Sequence, residues 1–186
     1  MKRLFDLTLA SLMIIIFMLP MLVISFVIYL TSKGPILYWS NRIGLHNVIY
    51  KMPKFRSMVI GTPPLATHLI PNPNQFLISI GGFLRRTSLD ELPQLFSIFK
   101  GDMSFVGPRP ALFNQDDLIS LRSEKGVDKL VPGLTGWAQV NGRDELSIIE
   151  KVKLDVEYMN KQSFWFDLKI LWLTFLKVIN SRDISH

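Results

Sequence analysis

The apolar positions gather first at the N-terminus, where Leu7 to Leu30 (LTLASLMIIIFMLPMLVISFVIYL) runs about two dozen residues without a charge. As a helix rising roughly 1.5 Å per residue, that run reaches across the hydrocarbon core of a bilayer. A secretory signal peptide is the competing reading, but the shorter apolar core and small-residue cleavage site it needs are missing. Lys2 and Arg3 precede the run, and Lys33, Arg42, Lys51, Lys54 and Arg56 follow it. Basic flanks favour the cytoplasm at both ends, which one straight span cannot supply. Pro20 lies near the middle, where it removes a backbone hydrogen bond and kinks the helix. Two topologies stay open on these residues: a bent helix that enters the inner leaflet and returns, and a plain span of weakly specified orientation.

Past Gly34-Pro35 the pattern turns extended. Ile36 to Trp39 and Val48 to Tyr50 flank a Gly/Asn-containing turn and predict a β-hairpin. Lys54 to Met58 alternates cation and apolar residue, which taken alone reads as a solvated basic edge. Residues 59–75 carry Pro63, Pro64, Pro71 and Pro73 and no acid, and predict a loop near the lipid surface. Leu92, Leu95, Phe96 and Phe99 fall at helical spacing, with Pro93 confined to the first turn, so a helix is expected to start near Asp90. Ala111 to Lys129 predicts helical structure with a solvated, mixed-charge face. Leu146 to Asn160 predicts a helix bearing Asp155 and Tyr158. Ser163 to Ile179 is apolar on most sides and carries Trp165, Trp172, Lys169 and Lys177, which suits either core packing or a helix lying among headgroups.

Composition narrows the partners. The 186 residues carry a net charge of +6, and the pI near 9.7 points to nucleic acid, anionic lipid or phosphorylated substrates. A hydrophobic share of 48% favours the membrane among these. The chain has no cysteine, so disulfides and thiolate zinc sites are excluded, and His46, His68 and His186 show no ligand spacing that would favour a zinc enzyme.

The chemistry concentrates in Arg85 to Pro110, RRTSLDELPQLFSIFKGDMSFVGPRP. Asp90 and Glu91 are adjacent carboxylates between the pair Arg85-Arg86 and an arginine held between prolines, Pro108-Arg109-Pro110. Ser88 to Glu91 matches a capping box, in which Glu91 merely reaches back to a backbone N–H. The same carboxylates at a helix start, held ionised by the dipole and by cations, suit a nucleophile or metal ligand. Arg109, with prolines on both sides, loses little entropy on clamping a phosphate. Further on, Pro132 to Arg143 (PGLTGWAQVNGR) has three glycines that permit close backbone approach to a ligand, with Arg143 a third phosphate contact.

The series KFRSM, SLDELPQLF, GDMSFVGPRP, PGLTGWAQVNGR and the closing aromatic helix resembles the bacterial sugar transferase family, the small monotopic phosphoglycosyl transferases, from Lys2 to about Ile179. The resemblance implies a helix-dominated α+β fold: a re-entrant membrane helix at 1–32, bent at Pro20, then one catalytic domain at 33–180 with a small hairpin and interfacial amphipathic helices, and a tail at 181–186. It implies that Asp90 attacks the β-phosphorus of a UDP-sugar and releases UMP. Polyprenol (undecaprenyl) phosphate then takes the phosphosugar from the carboxylate. Glu91, with Asp90, is expected to hold Mg²⁺, and Lys54, Arg85, Arg109 and Arg143 to surround the phosphates. Asp155 and Asp167 fall on acidic family positions, with metal or structural roles open. The expected setting is the cytoplasmic face of the bacterial inner membrane, with downstream glycosyltransferases as partners and no nucleic acid. Two departures from the family pattern are Pro20 after Leu19, where many relatives have serine, and Pro53, where an aromatic is usual. The rival reading is a membrane-anchored basic binding or scaffold module without catalysis, which leaves the Asp-Glu pair without a task.

Overall fold

The computed structural model describes residues 1–63, 72–142 and 145–180. The expectations placed on 64–71, on Arg143 and on the tail therefore lie outside the described residues. The described part is helix-dominated, with two small two-stranded sheets.

The N-terminal run forms one helix, α1 (Lys2–Thr31), continuous through Pro20. Its length and composition suffice to cross a membrane, and only 17% of its most apolar window is buried. Hydroxyls that would be costly in an apolar setting are satisfied locally. Thr8, Ser11, Ser25 and Thr31 each donate to the carbonyl four residues back, at 2.7–2.8 Å. One side of α1 packs on the protein: Ala10 joins a core with Met52, Leu95, Ile98, Phe105, Tyr158 and Ile170. Met21, Ile24 and Ile28 join a second with Phe55, Ile78 and Leu84. The other side leaves Leu12, Ile15, Leu19, Leu22, Phe26 and Leu30 exposed.

Both ends of α1 are tied down. Lys2 Nζ lies 2.6 Å from Asp167, and Arg3 donates to the carbonyls of Ile98 (2.6 Å) and Phe99 (2.7 Å). Asp6, buried, accepts from the Phe105 amide at 3.2 Å. At the far end Arg56 donates to the carbonyls of Lys33 (2.7 Å) and Ser32 (3.0 Å). Orphan carbonyls at a helix terminus call for such donors. Arg56 is itself buried, so the segment after Lys54 is no solvated basic edge.

The hairpin pairs β1 (Leu37–Ile43) with β2 (Ile49–Phe55), antiparallel, with Tyr38 opposite Lys54, Ser40 opposite Met52 and Arg42 opposite Tyr50. These three pairs share one face, and Ser40 and Met52 on it are buried. Two short helices follow, α2 (Gly81–Arg86) and α3 (Gln94–Lys100). Then β3 (Ser104–Val106) runs parallel to β4 (Gly133–Thr135), with α4 (Asp116–Glu124) between them. The glycines of the PGLTG stretch serve this junction rather than a ligand: a Cβ on Gly133 or Gly136 would run into the Gly107 backbone. The expected solvated face of α4 is present in Asp116, Asp117, Glu124 and Lys125, and the helix has an inner side as well. Leu118 is buried with Ala111 and Val152, and Arg122 turns inward.

The chain closes with α5 (Trp137–Val140), α6 (Ile148–Lys161) and α7 (Phe164–Asn180). A reciprocal capping box starts α6, with Glu150 accepting from the Ser147 amide at 2.8 Å. Core packing holds for one side of α7, and the other side is open. Asp167 and Ile170 are buried, while Trp165, Trp172 and Phe175 are exposed.

Gly133→Ala sets a Cβ against the Gly107 backbone, which cannot give way, whereas a Cβ on Gly126 meets only open space at φ +76°. Thermal melts should show Gly126→Ala costing about 1 kcal/mol, the left-handed penalty alone. Gly133→Ala should cost several times that, and equal melts would contradict this packing.

Candidate active site at the Asp90–Glu91 pair

The chain reaches the carboxylate pair through a strained step. Ser88, between α2 and a 3-10 turn at Leu89–Glu91, has φ +54° and ψ +18°, a left-handed conformation that a residue with a Cβ rarely adopts. The helix expected near Asp90 starts only at Gln94, with Pro93 as its N-cap. The expected capping box is absent: Ser88 makes no side-chain cap, and its amide already donates to Arg85 O at 3.1 Å. Glu91 has stronger partners elsewhere. Its Oε1 lies 2.7 Å from Lys54 Nζ and 3.6 Å from Arg109 Nη2.

Four of the expected site residues therefore meet. Lys54 comes from the inner face of β2, Asp90 and Glu91 from the 3-10 turn, and Arg109 from the Pro-Arg-Pro loop after β3. Asp90 is buried, and its nearest cation, Lys54, stands 3.9 Å away. Burial pushes the Asp90 carboxyl above its usual value. Lys54 opposes that shift, Glu91 adds to it, and Arg85 also favours the ionised form, which brings Arg85 into the same electrostatic neighbourhood. Asp90 thus keeps its oxygens less engaged than Glu91 does.

The accessory acids lie elsewhere. Asp155, buried on α6, accepts from Arg122 Nε (3.0 Å) and Nη2 (2.7 Å), and burial raises its pKa against that pairing. Asp167 accepts from the Tyr158 hydroxyl at 2.8 Å and binds Lys2. Both tie helices together. Among the described residues no cluster of three or more histidine or acidic side chains forms around the pair. Two neighbouring carboxylates with oxygen donors only suit Mg²⁺, which normally takes one or two carboxylates and fills its octahedron with water and substrate phosphate. The donor set does not suit zinc.

Sequence reasoning passed over Arg42, Tyr50 and Arg122. The Arg42 guanidinium donates to Ser40 Oγ (3.0 Å) and Pro110 O (3.1 Å), and burial, then the charge of Arg109, lowers its pKa to about 10. The Tyr50 hydroxyl is buried without a partner, and burial holds the phenol neutral. The hairpin register carried this information, since it puts Tyr38, Arg42, Tyr50 and Lys54 on one face.

A buried carboxylate beside a second one, with Lys54 and Arg109 against the pair, is the candidate active site. The chain belongs to the bacterial sugar transferase family, whose model matches residues 1–181. It is 40% identical to an uncharacterised sugar transferase of Bacillus subtilis, over 100% of this chain and 90% of that protein. A UDP-glucose:undecaprenyl-phosphate glucose-1-phosphate transferase of Escherichia coli is 39% identical over 95% of this chain. An undecaprenyl-phosphate galactose phosphotransferase of Salmonella typhimurium is 34% identical over all of it. The chain spans 39% and 41% of the length of these last two.

Because the Asp90 pKa is raised in the fold, protonation favours the native state, and ionisation at neutral pH costs stability. Asp90→Asn leaves Lys54 paired with Glu91. Its melting temperature should therefore exceed the wild type's at pH 7–8, with the gap closing as the pH falls through the raised carboxylate range. An unchanged or lower melting temperature at neutral pH would refute the burial argument.

Proposed function

We propose that the protein transfers a sugar 1-phosphate from a UDP-sugar to polyprenol (undecaprenyl) phosphate, releasing UMP, as the first membrane step of bacterial glycoconjugate assembly. The observation that carries this reading is Asp90 itself: buried, loosely paired, and beside a Glu91 that two cations hold in place. The relatives' names support the substrate classes, and they differ in the sugar.

An Asp90 carboxylate oxygen attacks the β-phosphorus of the UDP-sugar. The bond from that phosphorus to the bridging oxygen breaks, and UMP leaves with the electron pair. The sugar phosphate stays on Asp90 as an acyl phosphate. A phosphate oxygen of the polyprenol phosphate then attacks the same phosphorus, which frees the carboxylate and yields polyprenyl-diphospho-sugar for downstream glycosyltransferases. Two displacements replace one difficult transfer. Lys54, Arg85 and Arg109 bring positive charge to where phosphate oxygens gather. Bound Mg²⁺, held by Glu91 with Asp90, would supply neutralisation of the diphosphate and of the departing UMP. Burial lifts the Asp90 pKa, and the charges of Lys54 and Arg85 oppose that shift in favour of the ionised form.

The membrane arrangement follows from α1. The same domain grips its start through Asp167, Phe105 and the end of α3, and its finish through Arg56. Contacts of one domain with both ends support a re-entrant helix that enters one leaflet and returns, with Pro20 as the point where the backbone can bend. The exposed apolar side of α1 meets lipid. Exposed Phe96 and Phe99 on α3, and Trp165 and Trp172 on α7, suit the interface. Basic flanks favour the cytoplasmic face of the inner membrane, where a nucleotide sugar is available.

UMP release should require a UDP-sugar, undecaprenol phosphate and Mg²⁺ for turnover, with one stoichiometric burst when the acceptor is absent. Asp90→Asn should lose activity by a factor on the order of 10³ or more; normal turnover by that variant would sink the nucleophile assignment.

The chain has no native cysteine, so topology can be read with single cysteines at Met1 and Lys33. Both should react with an impermeant maleimide in inside-out vesicles and neither in intact spheroplasts. Labelling of one from each side would establish a straight span instead.

A further inference from the structure

The Pro-Arg-Pro loop is held from behind by two arginines that sequence reasoning did not place in the site. Arg122 Nη1 donates to the carbonyl of Arg109 at 2.8 Å, and Arg42 Nη1 donates to the carbonyl of Pro110 at 3.1 Å. Each is anchored in turn. The Nε and Nη2 of Arg122 both donate to one oxygen of Asp155, and the Nε of Arg42 donates to the buried Ser40 hydroxyl. Three separate elements, β1, α4 and α6, thus converge on two consecutive peptide groups.

The backbone geometry gives this convergence a purpose. Prolines at 108 and 110 fix φ at their own positions, and Pro110 restricts Arg109 towards extended conformations. Pro110 narrows ψ at Arg109, and so the direction of its carbonyl, only to a broad extended range, and ψ of Pro110, which sets where its own carbonyl points, is left open. The two arginines grip those two carbonyls through charge-assisted hydrogen bonds. With the backbone set on both sides, the Arg109 side chain leaves the loop in one direction, towards Glu91 at 3.6 Å. A guanidinium that must meet a phosphate in the transition state has to be placed within a fraction of an ångström, and side chains that do not touch the substrate commonly supply that placement.

We propose that Arg42 and the Arg122–Asp155 pair are positioning residues that aim the Arg109 guanidinium at the phosphates of the nucleotide, a proposal that rests on the phosphoglycosyl transferase reading above. Asp155, on an acidic family position, then acts at a distance, through Arg122 and the Arg109 carbonyl. Nothing in this arrangement requires Asp155 to meet a metal.

A structural strut between α4 and α6 would use the same Arg122–Asp155 bonds, so the test must separate aiming from holding. A double-mutant cycle does this. Arg109→Ala, Arg122→Met and the double variant are compared in two assays: UMP release from the UDP-sugar that wild type uses, and equilibrium binding of UDP. If Arg122 acts through Arg109, Arg122→Met alone should weaken both by about tenfold or more. Added to Arg109→Ala, it should cause no further loss beyond about twofold, because nothing remains to be aimed. Losses that multiply in the double variant would assign Arg122 to the fold alone and overturn the proposal. Should Arg122→Met fail to melt cooperatively, Arg122→Lys takes its place. Lysine keeps a donor for the Arg109 carbonyl but loses the fork on Asp155, so it should fall between wild type and the stronger variants. Asp155→Asn and Ser40→Ala, each crossed with Arg109→Ala, should show the same lack of additivity. Should wild type release no UMP from any UDP-sugar, the transferase reading fails, while the UDP-binding cycle still decides whether Arg122 aims Arg109.

Discussion

The structure depends on the way α1 is laid along the domain and fastened at both ends. A helix with two apolar sides has no unique orientation of its own, since either side could face the protein. The polar residues at its ends remove that freedom: Lys2, Arg3 and Asp6 at the start, Ser32 and Lys33 at the finish. Once fixed, α1 supplies side chains to two cores. The residues beside the active carboxylates belong to the second of these. Phe55 follows Lys54, Leu89 precedes Asp90 and Leu92 follows Glu91, and all three pack with Met21, Ile24 and Ile28. The long apolar helix and the segment that carries the carboxylate pair are thus packed together.

Within the site, the asymmetry between two adjacent carboxylates matters more than their proximity. Glu91 shares Lys54 and Arg109, so its charge is compensated and its position is set. Asp90 is buried with a cation only at 3.9 Å, so it bears more of the desolvation cost. Ser88 supports this arrangement through its backbone, at φ +54°, rather than through its hydroxyl. The strain turns the chain so that neighbouring residues point one to the cations and the other to the space beside them.

Much of this was legible in the sequence for physical reasons that can be named. An uncharged run, a hairpin with β-branched and aromatic strands, and helices with apolar periodicity declare themselves locally. The order of motifs brought Lys54, Asp90, Glu91 and Arg109 into one site and gave the family. What stayed hidden depended on long-range geometry. The Ser88-to-Glu91 pattern was ambiguous because its partners, Lys54 and Arg109, lie 37 and 18 residues away from Glu91, and Arg85 O takes the Ser88 amide. The glycines of PGLTG read as ligand-facing because their real neighbour, the Gly107 backbone, comes from another strand. Asp155 and Asp167 looked like spare acids until their cations, Arg122 and Lys2, could be seen.

The basic composition illustrates the same point. A net charge of +6 invites a search for an anionic partner. Yet Arg3, Arg42, Arg56 and Arg122 direct their guanidinium groups to backbone carbonyls of the protein itself, at the end of α3, at Pro110, at the end of α1 and at Arg109. Guanidinium serves this purpose because it keeps its charge when buried and presents several donors in fixed directions. Cations used in this way raise the pI while serving the fold, so net charge by itself does not name a partner.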